Sequence, residues 1–155
     1  MRPFILLLTL YFFSCTTNKQ QDTSTPKTAD PNYEVALQFI NAYAAHSNSS
    51  AGTSVIDWIS QRTDVSAVFK TELTRILTEA EQEDPALGLG SDPILDAQDH
   101  PDQFEIDRSE GNFVTVKGTD WPEFQLTLRL TNQNGQWLVH GSGIVNIPEN
   151  KRAKR

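Results

Sequence analysis

The chain has a single cysteine among its 155 residues, Cys15, so no disulfide can form within it and the fold must be held by its core. Positive charge is scarce where the bulk of the chain lies. Residues 30–150 hold 19 Asp and Glu against six Lys and Arg, an imbalance that the whole-chain net charge of −7 conceals. An acidic body repels phosphate backbones, which argues against nucleic acid as a partner. No apolar run reaches the ~18 residues that a membrane-spanning helix needs. There is no internal repeat and no Asp-x-Asp-x-Asp-Gly calcium loop. Large apolar residues are missing from residues 16–30, TTNKQQDTSTPKTAD. Such a stretch cannot bury enough surface to offset its ordering entropy and reads as a flexible tether.

What is present begins with the first fifteen residues, MRPFILLLTLYFFSC. Arg2 precedes an apolar run over residues 4–13, and small Ser14 stands directly before Cys15. Ten residues of helix span ~15 Å, half a bilayer core, which is too short for a spanning anchor and right for a removable export signal. The block resembles a bacterial lipoprotein signal with its lipobox, Phe12 standing where Leu is most usual. That resemblance implies cleavage after residue 14, acylation of Cys15, and a membrane reached through two or three lipid chains, which hold where one does not. The alternative is a secreted protein with an unpaired thiol, awkward in an oxidising compartment. Thr16, in place of an Asp after the cysteine, points to the outer membrane, facing the periplasm.

The chain therefore divides into a signal peptide (1–14), a lipidated cysteine and tether (15–30), one domain (31–148) and a basic tail (149–155). Roughly 118 residues suit a single core. The tail, Lys151-Arg152-Ala153-Lys154-Arg155, reads as a solvated end, with contact to anionic head groups or another chain as the alternative.

Within the domain, Asp30-Pro31 is expected to cap and open a first helix, on which Tyr33, Ala36, Leu37, Phe39, Ile40, Tyr43 and Ala44 make an apolar stripe. Ser54 and Asp57 have capping-box spacing ahead of a short helix with Val55, Ile56, Trp58 and Ile59. A third helix is expected from Thr63 or Asp64, with Val65, Val68, Phe69, Leu73, Ile76, Leu77 and Ala80 on one face, stopped at Asp84-Pro85. Beyond Pro93 the period changes to two. Phe104 and Ile106 start one strand, and Phe113 opens its return. Phe124, Leu126, Leu128 and Leu130 alternate with polar residues, and Asn134-Gly135 signals a hairpin into a last strand running from Gln136 to about Ile147. Gly141 and Gly143 are placed by simple alternation on the face of Trp137 and Val139, where a missing side chain implies a bend or the close approach of a helix. Helices followed by a four-stranded antiparallel meander make an α+β fold, the helices covering the apolar face.

The block Asp92-Pro93-Ile94-Leu95-Asp96-Ala97-Gln98-Asp99 resembles a stretch shared by a family of small bacterial envelope lipoproteins of unknown function, in the nuclear transport factor 2-like superfamily. The resemblance runs from residue 33 to about 147 and includes Gly135-Gln136-Trp137-Leu138-Val139. It implies a cone of helices on a curved sheet, with a pocket between them, and it transfers no catalytic residue. That fold hosts both enzymes and binding proteins, so it does not decide function.

The candidate contact residues for a ligand or partner are Trp121, Asp96, Asp99, His100 and His140. The acidic run Asp92, Asp96, Asp99, His100, Asp102 carries oxygen ligands suited to a hard cation. Asp beside Pro more often caps and turns, so Gln98 and Asp99 are read as holding the crossover from helices to sheet. His140-Gly141-Ser142-Gly143 has His where the nucleophile elbow needs Gly, and it sits inside a strand. Trp58 and Trp137 fit core packing, whereas Trp121, in a Thr-Asp-Trp-Pro corner, fits an exposed contact. No catalytic set, metal site or cofactor motif is read. The expected function is a non-catalytic envelope lipoprotein that binds a protein partner or small ligand. A periplasmic immunity or inhibitor protein against a toxin or wall hydrolase is the first alternative, and an enzyme using the cone pocket is the second.

Overall fold

The computed structural model describes residues 30–49 and 52–154. The segments expected to be a signal peptide and a tether, with Cys15, lie outside them except for residue 30. Three helices, α1 (Glu34–Ser47), α2 (Val55–Ser60) and α3 (Ala67–Glu83), precede four strands, β1 (Phe104–Glu110), β2 (Phe113–Gly118), β3 (Gln125–Gln133) and β4 (Gln136–Ser142). A 3-10 turn at Glu149–Lys151 follows. The strands pair antiparallel in the order β1-β2-β3-β4, an α+β architecture with a meander sheet. No helix among the described residues is long and apolar enough to cross a membrane.

The inner face of the sheet carries Val114, Val116, Leu126, Leu128 and Leu130, each almost wholly buried. Against it lies α1, with Ala36, Phe39, Ile40, Tyr43 and Ala44 fully buried. Phe39 meets Phe69 of α3 edge-on at 5.8 Å. Asn41 fixes where α1 sits: its Nδ2 donates to the Phe104 carbonyl at 3.1 Å, and its Oδ1 accepts from the Phe104 N–H at 2.7 Å. That pair satisfies the start of an edge strand as a neighbouring strand would. Asn41→Ala is expected to cost about 1–2 kcal/mol by leaving both groups unmatched, read as a lower midpoint in urea with an unchanged slope.

Several local expectations are corrected. Asp30 does not cap α1: the helix starts later, after Tyr33, and the Glu34 N–H donates to Asn32 Oδ1 instead. Helix α3 does not begin at Thr63 or Asp64. Val65 makes a parallel bridge to Val139, with Val139 N–H on the Asp64 carbonyl and Ser66 N–H on the Val139 carbonyl. The helix can turn only after that pairing ends, at Ser66, whose hydroxyl accepts from the Phe69 N–H. Val68, assigned to the apolar face, is half exposed.

The last strand ends at Ser142 rather than near Ile147. A bulge in the β3–β4 ladder puts Gly141 opposite Arg129 and Val139 opposite Leu130, so Gly141 faces away from Val139 instead of sharing its face. Loops, not a helix, use the vacated space. A side chain on Gly141 would meet the 145–147 segment, and one on Gly143 (φ +59°) would lie 2.4 Å from the Pro93 carbonyl oxygen. The described part of the basic tail folds back onto the domain, with the Lys151 and Lys154 side chains still exposed. Residues 149–152 lie along the outer sheet face, with Lys151 3.4 Å from Glu110 and its ammonium over the Phe113 ring.

Candidate functional site

Two turns bring three of the sequence-chosen residues together. The 92–99 segment folds back on itself, the Asp92 N–H donating to the Ala97 carbonyl at 2.9 Å and Asp96 taking the left-handed region at φ +54°. The Asp92 carboxylate organises this loop from within. Its Oδ1 accepts from the Ile94 and Leu95 N–H groups at 2.8 and 2.9 Å, and its Oδ2 accepts a short hydrogen bond from the Tyr43 hydroxyl. Burial first, then the adjacent Asp92 charge, push the Tyr43 phenol far above its ordinary value, so it stays a donor. Ile94 and Leu95 are thereby driven into the core at 0% exposure. The loop is then fastened to β4 by the Ser142 hydroxyl on the Ile94 carbonyl and the Ile144 N–H on the Pro93 carbonyl. Gln98 adds a bond to the Gly90 carbonyl, which agrees with its expected role.

The second turn joins β2 to β3. The Phe124 N–H donates to the Trp121 carbonyl at 3.0 Å, which sets the Trp121 ring edge-on to Phe124 at 5.3 Å. Phe124 is buried and packs in turn on Phe104. Trp121 remains 44% exposed on a rigid base.

Between the two turns lies an open groove of about 510 Å³, lined by Asp96, Ala97, Gln98, Asp99, Trp121, Glu123 and Phe124. It has an aromatic floor and an acidic rim. Glu123 and Phe124 do not stand out in the sequence as contact residues. Phe124 sits in the strand alternation and reads as core, and nothing local shows that Glu123 comes to face Asp96 and Asp99.

The two candidate histidines lie elsewhere. His100 is outside the groove lining, its Nδ1 2.9 Å from the Pro101 carbonyl oxygen. His140 is in β4, with Nδ1 3.2 Å from the Ser66 hydroxyl. Ser66 is fully buried and caps α3, so this serine–histidine contact offers no accessible nucleophile. Ser142 is likewise buried and bonded to Ile94. Burial, then the Arg129 charge, hold the His140 imidazole below its ordinary value. The unfolded chain therefore takes up this proton first as pH falls. The stability that neutral His140 supports is full above about pH 6.5 and is lost on acidification below it. In His140→Gln the fall in thermal midpoint between about pH 6.5 and 5 is expected to be shallower than in the wild type.

His46 has a partner that its sequence position does not suggest. It lies in the last turn of α1 and stacks on Trp58 at 5.1 Å, with the Arg62 guanidinium over the Trp58 ring at 4.8 Å. Among the described residues, no three His, Cys, Asp or Glu side chains converge to hold a metal ion.

The fold is similar to a chain in the crystal structure of the type VI native effector-immunity complex Tae3-Tai3 from Ralstonia pickettii. The identity is 16% and the TM-score 0.49, over 74% of this chain and 94% of that one. No protein-family model and no curated protein matches the chain.

Proposed function

We propose that this chain is a non-catalytic lipoprotein of the bacterial envelope that binds a protein partner through the Trp121 groove. The observation that carries the reading is the groove itself: a half-exposed tryptophan held rigid over buried Phe124, ringed by Asp96, Asp99 and Glu123. Aromatic anchors in partly apolar depressions are where binding energy concentrates at protein interfaces. Support for the address comes from the sequence: Arg2, the apolar run, Ser14 and Cys15 make the signal, residues 15–30 the tether, and residues 31–148 the domain it carries. Bulges at 106/108 and 129/130, with α1 laid across the inner face, support a cone-like curvature of the sheet. The space inside is filled by Phe39, Ile40, Tyr43, Leu126 and Leu128, which favours the surface groove over an interior pocket.

The acidic body favours a sharper second reading, an immunity or inhibitor protein whose partner is a basic toxin or wall hydrolase. Charge of opposite sign steers such pairs together and rejects wrong partners. This reading rests on the charge and the groove, not on the likeness to a chain of an effector–immunity complex.

The test is paired affinity capture from detergent-solubilised envelopes, using the mature chain and its Trp121→Ala/Asp99→Lys variant. One basic protein retained near stoichiometry by the first and lost by the second is the expected result. Identical proteins recovered with both would remove the groove from the proposal.

A further inference from the structure

Six of the nine basic residues among the described part of the chain, Arg108, Lys117, Arg129, Lys151, Arg152 and Lys154, gather at the outer face of the sheet. Four acidic groups accompany them there: Asp107 at 2.6 Å from Arg108, Glu105 at 3.3 Å from Lys117, Glu110 at 3.4 Å from Lys151, and exposed Glu149 at the start of the tail turn, leaving six positive charges against four negative. The face is thus net positive on a domain that is otherwise strongly acidic. The folded-back tail completes it. Arg152 is held by its Nε on the Ile147 carbonyl, and Arg108, Lys151, Arg152 and Lys154 line a groove of about 450 Å³ with Thr115 and Thr127 on its floor.

The position of this face relative to the two ends of the domain matters as much as its sign. The chain enters the domain at the β1–β2 turn, where the Tyr33 hydroxyl donates to the Gly111 carbonyl at 2.8 Å. Lys151 sits over Phe113, the first residue after that turn. The chain therefore enters at the same end of the sheet as Lys151. The Trp121 groove lies past the other end of β2, about 20 Å away for six strand residues.

We propose that this basic face rests on the phosphate head groups of the membrane that holds the chain, with the lining of the Trp121 groove left outside the contact. The inference rests on the lipoprotein reading for the tether, but the head-group contact stands on the charge layout. The net charge of the domain does not forbid it. Salt limits the reach of exposed charges to about 8–10 Å, so a surface responds to the face it touches and not to acidic groups a strand-length away. Fifteen residues from Cys15 to residue 30 span at most ~50 Å, which keeps the domain within contact range of its bilayer.

Because Cys15 is the only cysteine, a chain produced from residue 15 onward without acylation carries one free thiol, and that thiol can be coupled to maleimide-bearing lipid as a substitute anchor. Acetylation rates of Lys151, Lys154 and Lys70 are then followed by mass spectrometry on vesicles of phosphatidylcholine with or without about 30% phosphatidylglycerol. The expected result is several-fold slower labelling of Lys151 and Lys154 on the anionic vesicles alone, abolished by about 0.5 M salt, with Lys70 on the helical side unchanged. Equal rates on both vesicles would overturn the proposal. Equal protection by millimolar inorganic phosphate without vesicles would also overturn it, in favour of a small-anion site. Native Cys15 found unacylated would sink the lipoprotein reading and leave the vesicle result untouched.

Discussion

Replacing Asp92 by alanine is expected to lower the unfolding free energy by about 3 kcal/mol, a large share of the 5–15 kcal/mol typical of a domain. One carboxylate accepts from the Tyr43 hydroxyl and from two backbone amides, those of Ile94 and Leu95. Hydrogen bonds to a charged group contribute about 1.5–3 kcal/mol each, and the three are not additive because they share one acceptor. The thermal midpoint should fall by roughly 10 °C. Tyr43→Phe removes one donor and should cost only about 1–2 kcal/mol, because Asp92 keeps its two amides. Asp92→Asn should fall between them, since one oxygen remains to serve the amides. An Asp92→Ala protein as stable as the wild type would show that the loop is held by the burial of Ile94 and Leu95 alone. The groove should suffer with the loop, because Asp96 and Asp99 are positioned by it.

Removing the Trp121 side chain is expected to weaken partner binding by about 30-fold, equivalent to ~2 kcal/mol, while leaving the thermal midpoint within about 2 °C. The ring is 44% exposed and covers Phe124 from outside, so its loss leaves the core formed by Phe104 and Phe124 in place. Binding by titration calorimetry against the captured protein and melting by calorimetry read the two effects separately. Neutralising the rim with Asp96→Asn and Asp99→Asn should act differently, slowing association and flattening its dependence on salt more than it speeds dissociation. Unchanged affinity in Trp121→Ala would place the interface elsewhere on the domain.

Much of this architecture can be read locally. Ser54 caps α2 through the Asp57 N–H, as the spacing implies. Asn134 and Gly135 both take positive φ, 53° and 86°, the pairing that a two-residue hairpin of this hand requires. The alternation from Phe124 to Leu130 gives the inner face of β3 correctly. The errors fall where a distant segment overrides a local preference. Helix α3 starts late because Val139, 74 residues on, holds Val65 extended. The β4 face assignment fails at one bulge, since a single inserted residue reverses every side chain beyond it. For Asp92, the Ile94 and Leu95 amides are the turn that Asp before Pro favours, but its third donor, the Tyr43 hydroxyl 49 residues away in α1, leaves no mark in the residues next to it.

The candidate groove divides in the same way. Trp121 in its Thr-Asp-Trp-Pro corner and the acidic 96–99 stretch stand out in the sequence, one as an apolar residue in a turn and the other as a charge run. That they face one another, with Glu123 completing the rim and neither His100 nor His140 joining, is set by the direction in which two turns leave the sheet.

By itself, the amino-acid order determined the kinds of element, their succession, the hairpins and the separation of an acidic body from a basic end, because periodicity, capping and turn chemistry act over a few residues. The tertiary structure alone decided which charges share a surface. It folded the tail back onto the sheet, put chain entry and groove at opposite ends, and made Asp92 a structural fastener, because those outcomes depend on strand register and on contacts between residues far apart in the chain.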